Sequence, residues 1–112
     1  MAEELTFDLE EKMEQASKLP LSGGRATLAV VTFPNLKLFL IYMPAESAWS
    51  EHSTPGRIAV QVLRGYIRMN TRDANYDLAT GRGAAFDSNV KHEVHALADS
   101  WFLLTVAAQT EV

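Results

Sequence analysis

The stretch "GRGAAFDSNVKH", Gly81–His92, decides how this chain is read. A glycine opens it, "GAAF" (Gly83–Phe86) makes a short apolar run, and "DSN" (Asp87–Asn89) is a polar turn cluster that leads to a histidine. Working outward, the same rhythm recurs. "ATLAVVTF" (Ala26–Phe33), "LKLFLIYM" (Leu36–Met43), "RIAVQVL" (Arg57–Leu63), "YIRMN" (Tyr66–Asn70), "NYDLA" (Asn75–Ala79) and "DSWFLLTVA" (Asp99–Ala107) are short and rich in Val, Ile, Leu and aromatics. Turn signals such as "FPN", "TPG" and "RDAN" separate them. Runs of this length and spacing predict an all-β domain, a sandwich or a small barrel, over residues 26–108.

One segment reads as a helix, residues 8–18. Asp8 stands at the N-cap, Glu11 completes the capping-box spacing, and Glu10 and Glu11 suit the positive end of the helix dipole. Leu9, Met13 and Ala16 make one narrow apolar stripe, and Pro20 stops the helix. Such a helix lies on something else. In "RIAVQVL" both faces are largely apolar, Ile58, Val60 and Val62 on one and Ala59, Gln61 and Leu63 on the other, and "WFLLTV" behaves alike. This predicts strands covered on both faces, by a second sheet or by the partner in a homodimer.

The bulk composition narrows the function. At 112 residues, 47% hydrophobic and 21% charged, the chain is sized for one globular domain with one core, residues 1–112. A net charge of −4 with scattered arginines argues against a nucleic-acid partner. The absence of cysteine removes disulfides, thiolate metal sites and thiol catalysis, and suits a reducing compartment. The N-terminal "MAEELTFDLEEKMEQ" is acidic and lacks the basic-then-apolar order of a secretory signal, and "LAVVTFPNLKLFLIYM" is broken by Pro34, Asn35 and Lys37. The expectation is a soluble cytoplasmic protein with no membrane partner.

The second half of the chain resembles the cupin family of small β-barrels. The second cupin motif runs glycine, five residues, proline, one residue, glycine, two residues, histidine. Here Gly81 and His92 match, Asp87 takes the proline position and Asn89 a glycine position, which asparagine can fill because it tolerates positive φ. For the first motif, anchoring "SEHSTPGRIAVQVLRG" (Ser50–Gly65) on Gly65 puts the glutamate position at Ile58, the two histidine positions at His52 and Thr54, and the preceding glycine at Glu46. The resemblance spans about residues 26–108 and implies a cupin-type antiparallel β-barrel, or double-stranded β-helix, with one short N-terminal helix.

In metal-binding cupins, those three first-motif positions and the second-motif histidine hold a divalent ion such as Fe, Mn, Ni or Zn. This chain keeps His52 and His92 and has Thr54 and Ile58 elsewhere, short of the three protein ligands a catalytic site keeps. Substitutes must share strand parity with what they replace, so Glu51, Gln61, Glu93 and His95 fall on the wrong face unless a bulge intervenes, and Glu46 sits far along the chain. The favoured reading is a small-molecule-binding barrel with a degenerate metal site. Its ligand-binding residues are His52, Thr54, Ile58, His92, Trp49 and Phe86, with Trp101 a further aromatic candidate. The alternative is a divalent-metal-dependent enzyme, dioxygenase- or isomerase-like, using His52 and His92. Two facing imidazoles also suit acid–base work, although no nucleophile or oxyanion partner accompanies them. A third reading is a structural dimer with a fully packed interior. Arg57, Arg64, Arg68, Arg72 and Arg82 are read as solvated edge residues.

Overall fold

A strand that is buried on one side alternates, and here the alternation sorts the chain into two faces. The computed structural model describes residues 2–108. Its elements are α1 (Leu9–Ser17), β1 (Ala26–Phe33), β2 (Leu36–Met43), β3 (Ala48–His52), β4 (Arg57–Arg64), β5 (Tyr66–Thr71), β6 (Asn75–Ala79), β7 (Gly83–Phe86), β8 (His92–Ala96) and β9 (Ser100–Ala107). All pairings are antiparallel. One sheet has the order β1-β2-β9-β4-β7 and the other β3-β8-β5-β6. The inward residues of both sheets meet in one core: Ile41, Val60 and Phe102 from the first, Ile67, Met69 and Val94 from the second, all essentially buried.

The helix follows the sequence reading closely. Asp8 caps it, its carboxylate accepting from Glu11 N at 3.3 Å. The capping box is one-sided, because the Glu11 carboxylate accepts instead from Gln15 Nε2 at 3.2 Å. Met13 and Ala16 bury their stripe against Leu40, with Leu28, Leu63, Trp101 and Leu103 around them. Part of the cover comes from an element the sequence reading did not place there. The outer face of β9 and the end of β4 are covered by the chain's own helix, while Ala59 and Gln61 stay exposed and β4 alternates cleanly.

Two strands beyond the seven expected are present, β3 and β8, and each ends or begins at a histidine. Between β4 and β5 the chain passes from one sheet to the other through a single residue, Gly65, with φ 112°. A side chain there would collide with Asp99 O and Ser100 Oγ, so both the turn and the close approach require glycine.

Candidate functional site

β3 and β8 bring the histidines together. In their ladder His52 lies opposite His92, with a register shift between Trp49 and His52. That bulge turns Trp49 and His52, three residues apart, to the same side, and their rings stack at 4.0 Å with 11° between planes. His52 meets His92 edge-on at 4.2 Å and 66°. Phe86 lies behind His92 at 5.4 Å. On the far side of Trp49 the Arg25 guanidinium sits 4.0 Å from the indole centre. The result is a column: Arg25, Trp49, His52, His92, Phe86.

The column borders a cavity of about 330 Å³ in the barrel, within the size range of small-molecule sites. Ile41, Ile58, Val60, Met69, Phe102 and Leu104 form its apolar wall. The polar side is formed by Arg25, Thr27, His52, Thr54 and His92, with no carboxylate among the described lining residues. Each imidazole is held through Nδ1 by a backbone carbonyl two residues earlier, Ser50 O at 2.8 Å for His52 and Val90 O at 2.9 Å for His92. A carbonyl accepts only, so Nδ1 carries the proton in the neutral rings and each Nε2 is left as the acceptor. Burial lowers the His52 pKa. The Ser50 carbonyl opposes this, while His92 and Arg25 add to it. Burial also lowers the pKa of Arg25, which forms no ion pair among the described residues.

The turns around the site explain three departures from the cupin pattern. Asn89 has φ 64° and Glu46 φ 68°, and both stand where the resemblance expects a glycine that this chain lacks. At the proline position, the Asp87 carboxylate accepts from Ser88 N at 2.8 Å and from Arg57 Nε at 2.9 Å, fixing the turn by hydrogen bonds instead of a ring. Asn89 N donates to Thr54 O at 2.8 Å and ties the two motif loops together.

The donor set does not fit the transition ion that the resemblance implies. Thr54 and Ile58 line the cavity at the other two motif positions, Ile58 buried and apolar. Among the described residues no third His, Cys, Asp or Glu joins the two imidazoles. The one full charge at the rim, on Arg25, has the wrong sign for a dication.

His52, Thr54, Ile58, His92 and Trp49 thus meet at one cavity, and Phe86 backs His92 without lining it. Trp101 is elsewhere: it lies under the helix on the outer face, its Nε1 donating to Met13 O at 3.1 Å. Glu51 is exposed, and Glu93 points outward to Asn70 Nδ2 at 3.1 Å and His95 at 3.4 Å. Arg57, Arg64 and Arg68 pair at the surface with Asp87, Glu10 and Asp77, and Arg72 and Arg82 are exposed. The sequence reading missed Arg25 and Thr27. Their signal was parity, since Leu28 and Val30 face the helix and the alternate positions must face inward.

Two facing antiparallel sheets closed around a mouth that carries two motif histidines define a cupin fold, the double-stranded β-helix. The comparisons bear on that fold. A cupin described as RmlC-like from Shewanella frigidimarina superposes with a TM-score of 0.79 at 16% identity, covering 98% of this chain and 95% of its own. A conserved protein of unknown function from Streptococcus pyogenes gives 0.76 at 17%, covering 99% and 93%. A cupin superfamily protein from Desulfitobacterium hafniense gives 0.74 at 15%, covering 84% and 87%. At such identities the likeness is one of fold. No family model matches the chain, and no curated protein matches its sequence. Among the described residues no helix is long and apolar enough to cross a membrane.

Proposed function

We propose that this chain is a small-molecule-binding cupin barrel that holds its ligand by apolar contact, hydrogen bonding and charge rather than through a bound transition metal. One observation carries the reading: a cavity of about 330 Å³ with an apolar wall, onto one side of which Arg25, His52 and His92 converge. That combination is the usual make-up of a ligand site. An open interior also argues against a purely structural barrel packed by its own side chains.

The test is metal content. Protein incubated with Fe, Mn, Ni or Zn salts and then dialysed is expected to retain well under one ion per chain by elemental analysis. Stoichiometric retention, lost in the double variant His52→Ala, His92→Ala, would instead support the metal-dependent enzyme. A reducing cytoplasmic setting, supported by the lack of cysteine, is part of the same proposal. So is a homodimer, supported by the apolar margin of β1 and β2 where Leu5, Phe7 and Leu36 are each at least 40% exposed. A monomer in light scattering at micromolar concentration would remove it.

A further inference from the structure

We infer that the ligand is a small organic acid bearing one carboxylate on an apolar body, with the carboxylate at Arg25 and the body against the barrel wall. The inference rests on the reading above, that this cavity is the binding site.

The charge balance points to an anion. The chain as a whole carries −4, yet the polar side of the cavity holds one permanent cation and two imidazoles. Three of the other arginines are matched with carboxylates, Arg57 with Asp87, Arg64 with Glu10 and Arg68 with Asp77. Arg25 is partly buried and, unlike Arg68, has no acidic partner among the described residues. A partly buried guanidinium at an apolar cavity with no counter-ion of its own is open to an anion, and a ligand carboxylate is a partner that would pair with it.

Geometry leaves the donors available. The guanidinium carbon sits 4.0 Å from the Trp49 ring centre, and of the five N–H groups one, on Nη1, reaches Gly23 O at 3.3 Å. Arg25 is therefore fixed in direction while most of its hydrogen-bonding edge remains unspent. The guanidinium fork matches a carboxylate bidentately, and the apolar wall suits an organic body behind it. Beyond the rim, Ile58 at the family's glutamate position turns what would be a donor site into apolar surface.

The experiment compares isosteric heads on one body. Hexanoate, hexanamide and hexylamine, and 3-phenylpropanoate with its amide, are titrated into ¹⁵N-labelled protein and followed by amide shifts at Val60, Met69 and Phe102. The acids are expected to bind roughly tenfold more tightly than their amides, the scale of one charge-assisted hydrogen-bonded contact. Arg25→Gln should bring acid and amide to equal affinity, whereas Arg25→Lys should keep part of the preference. The spectrum of each variant reports whether it is folded. If amides or the amine bind the wild type as well as the acids, or if Arg25→Gln keeps the acid preference, this inference fails and the pocket reading stands. If no probe moves the cavity resonances, both fail together.

Discussion

Glu46 holds φ 68°, a conformation that costs an ordinary L-residue about 1–2 kcal/mol. Its backbone N–H donates to Ala96 O at 2.8 Å, so the turn is fixed whatever side chain it carries. Glu46→Gly removes the strain and adds chain entropy to the unfolded state, and the balance is a gain of about 0.5 kcal/mol in urea unfolding. Asn89, at φ 64°, is already adapted, so Asn89→Gly should change stability by less. The resemblance to the cupin motifs made both positions legible as glycine sites, and the backbone demand survives the loss of the glycine. Arg25 was legible only through strand parity, opposite Leu28 and Val30, because an arginine directly after a Gly-Gly pair has no other local signature.

At the same scale, His52 makes folding depend on pH. Burial lowers its pKa in the folded state below the ordinary imidazole value of about 6.5. As pH falls through that value the unfolded chain takes up a proton that the folded chain resists, so ∂ΔG/∂pH is positive and stability is lost on the acid side. Wild type should therefore lose more thermal stability between pH 7.5 and 5.5 than His52→Gln does, and the His52 ring should titrate below 6.5 by NMR. Equal losses in the two proteins would mean that burial does not hold the ring neutral. Hexanoate bound beside Arg25 would put a negative charge near the ring and move the titration back upward.

At the level of elements, helix and sheet divide the work. α1 covers the outer face of the five-stranded sheet, and the cavity opens on the inner face. Met13 is 5% exposed and packs on Leu40, so Met13→Ala should cost about 2–3 kcal/mol, at the lower end because a surface helix can settle into the gap. Urea unfolding measures the loss, and hexanoate affinity of the folded variant should stay within twofold of wild type. A large change in affinity would show that the helix reports to the cavity. The helix was legible from its cap and stripe, and so were seven strands from their β-branched and aromatic runs. β3 and β8 were not. "AWSEH" has no β-branched residue and "HEVHA" has one, so their place in the sheet comes from pairing with each other and with β5 rather than from propensity. The bulge between Trp49 and His52 also reverses parity, which is why the aromatic column could not be read from spacing.

Across the whole molecule, the core and the cavity compete for the same interior. Phe102, Val60 and Met69 belong to the packed core and also form the cavity wall, so the barrel is filled at one end and open at the other. An open apolar volume forgoes dispersion contacts that a packed one would make, and that loss is the expected cost of keeping a binding site. Val106 lines the cavity and pairs with Ile58 across β4 and β9, with the motif histidines also on the lining. Val106→Phe should put a ring into the void, raise stability by about 0.5–1.5 kcal/mol, and abolish hexanoate binding. Both changes must appear together, because they are two consequences of one filled space. A variant that folds, gains stability and still binds the acid with wild-type affinity would place the ligand somewhere other than this cavity. A variant that loses stability would mean that the wall is too rigid to admit the ring, and Val106→Leu then repeats the trial with a smaller side chain. Whichever residue succeeds in filling the space, the paired rise in stability and loss of binding distinguishes a cavity kept open for a ligand from an unused gap in the packing.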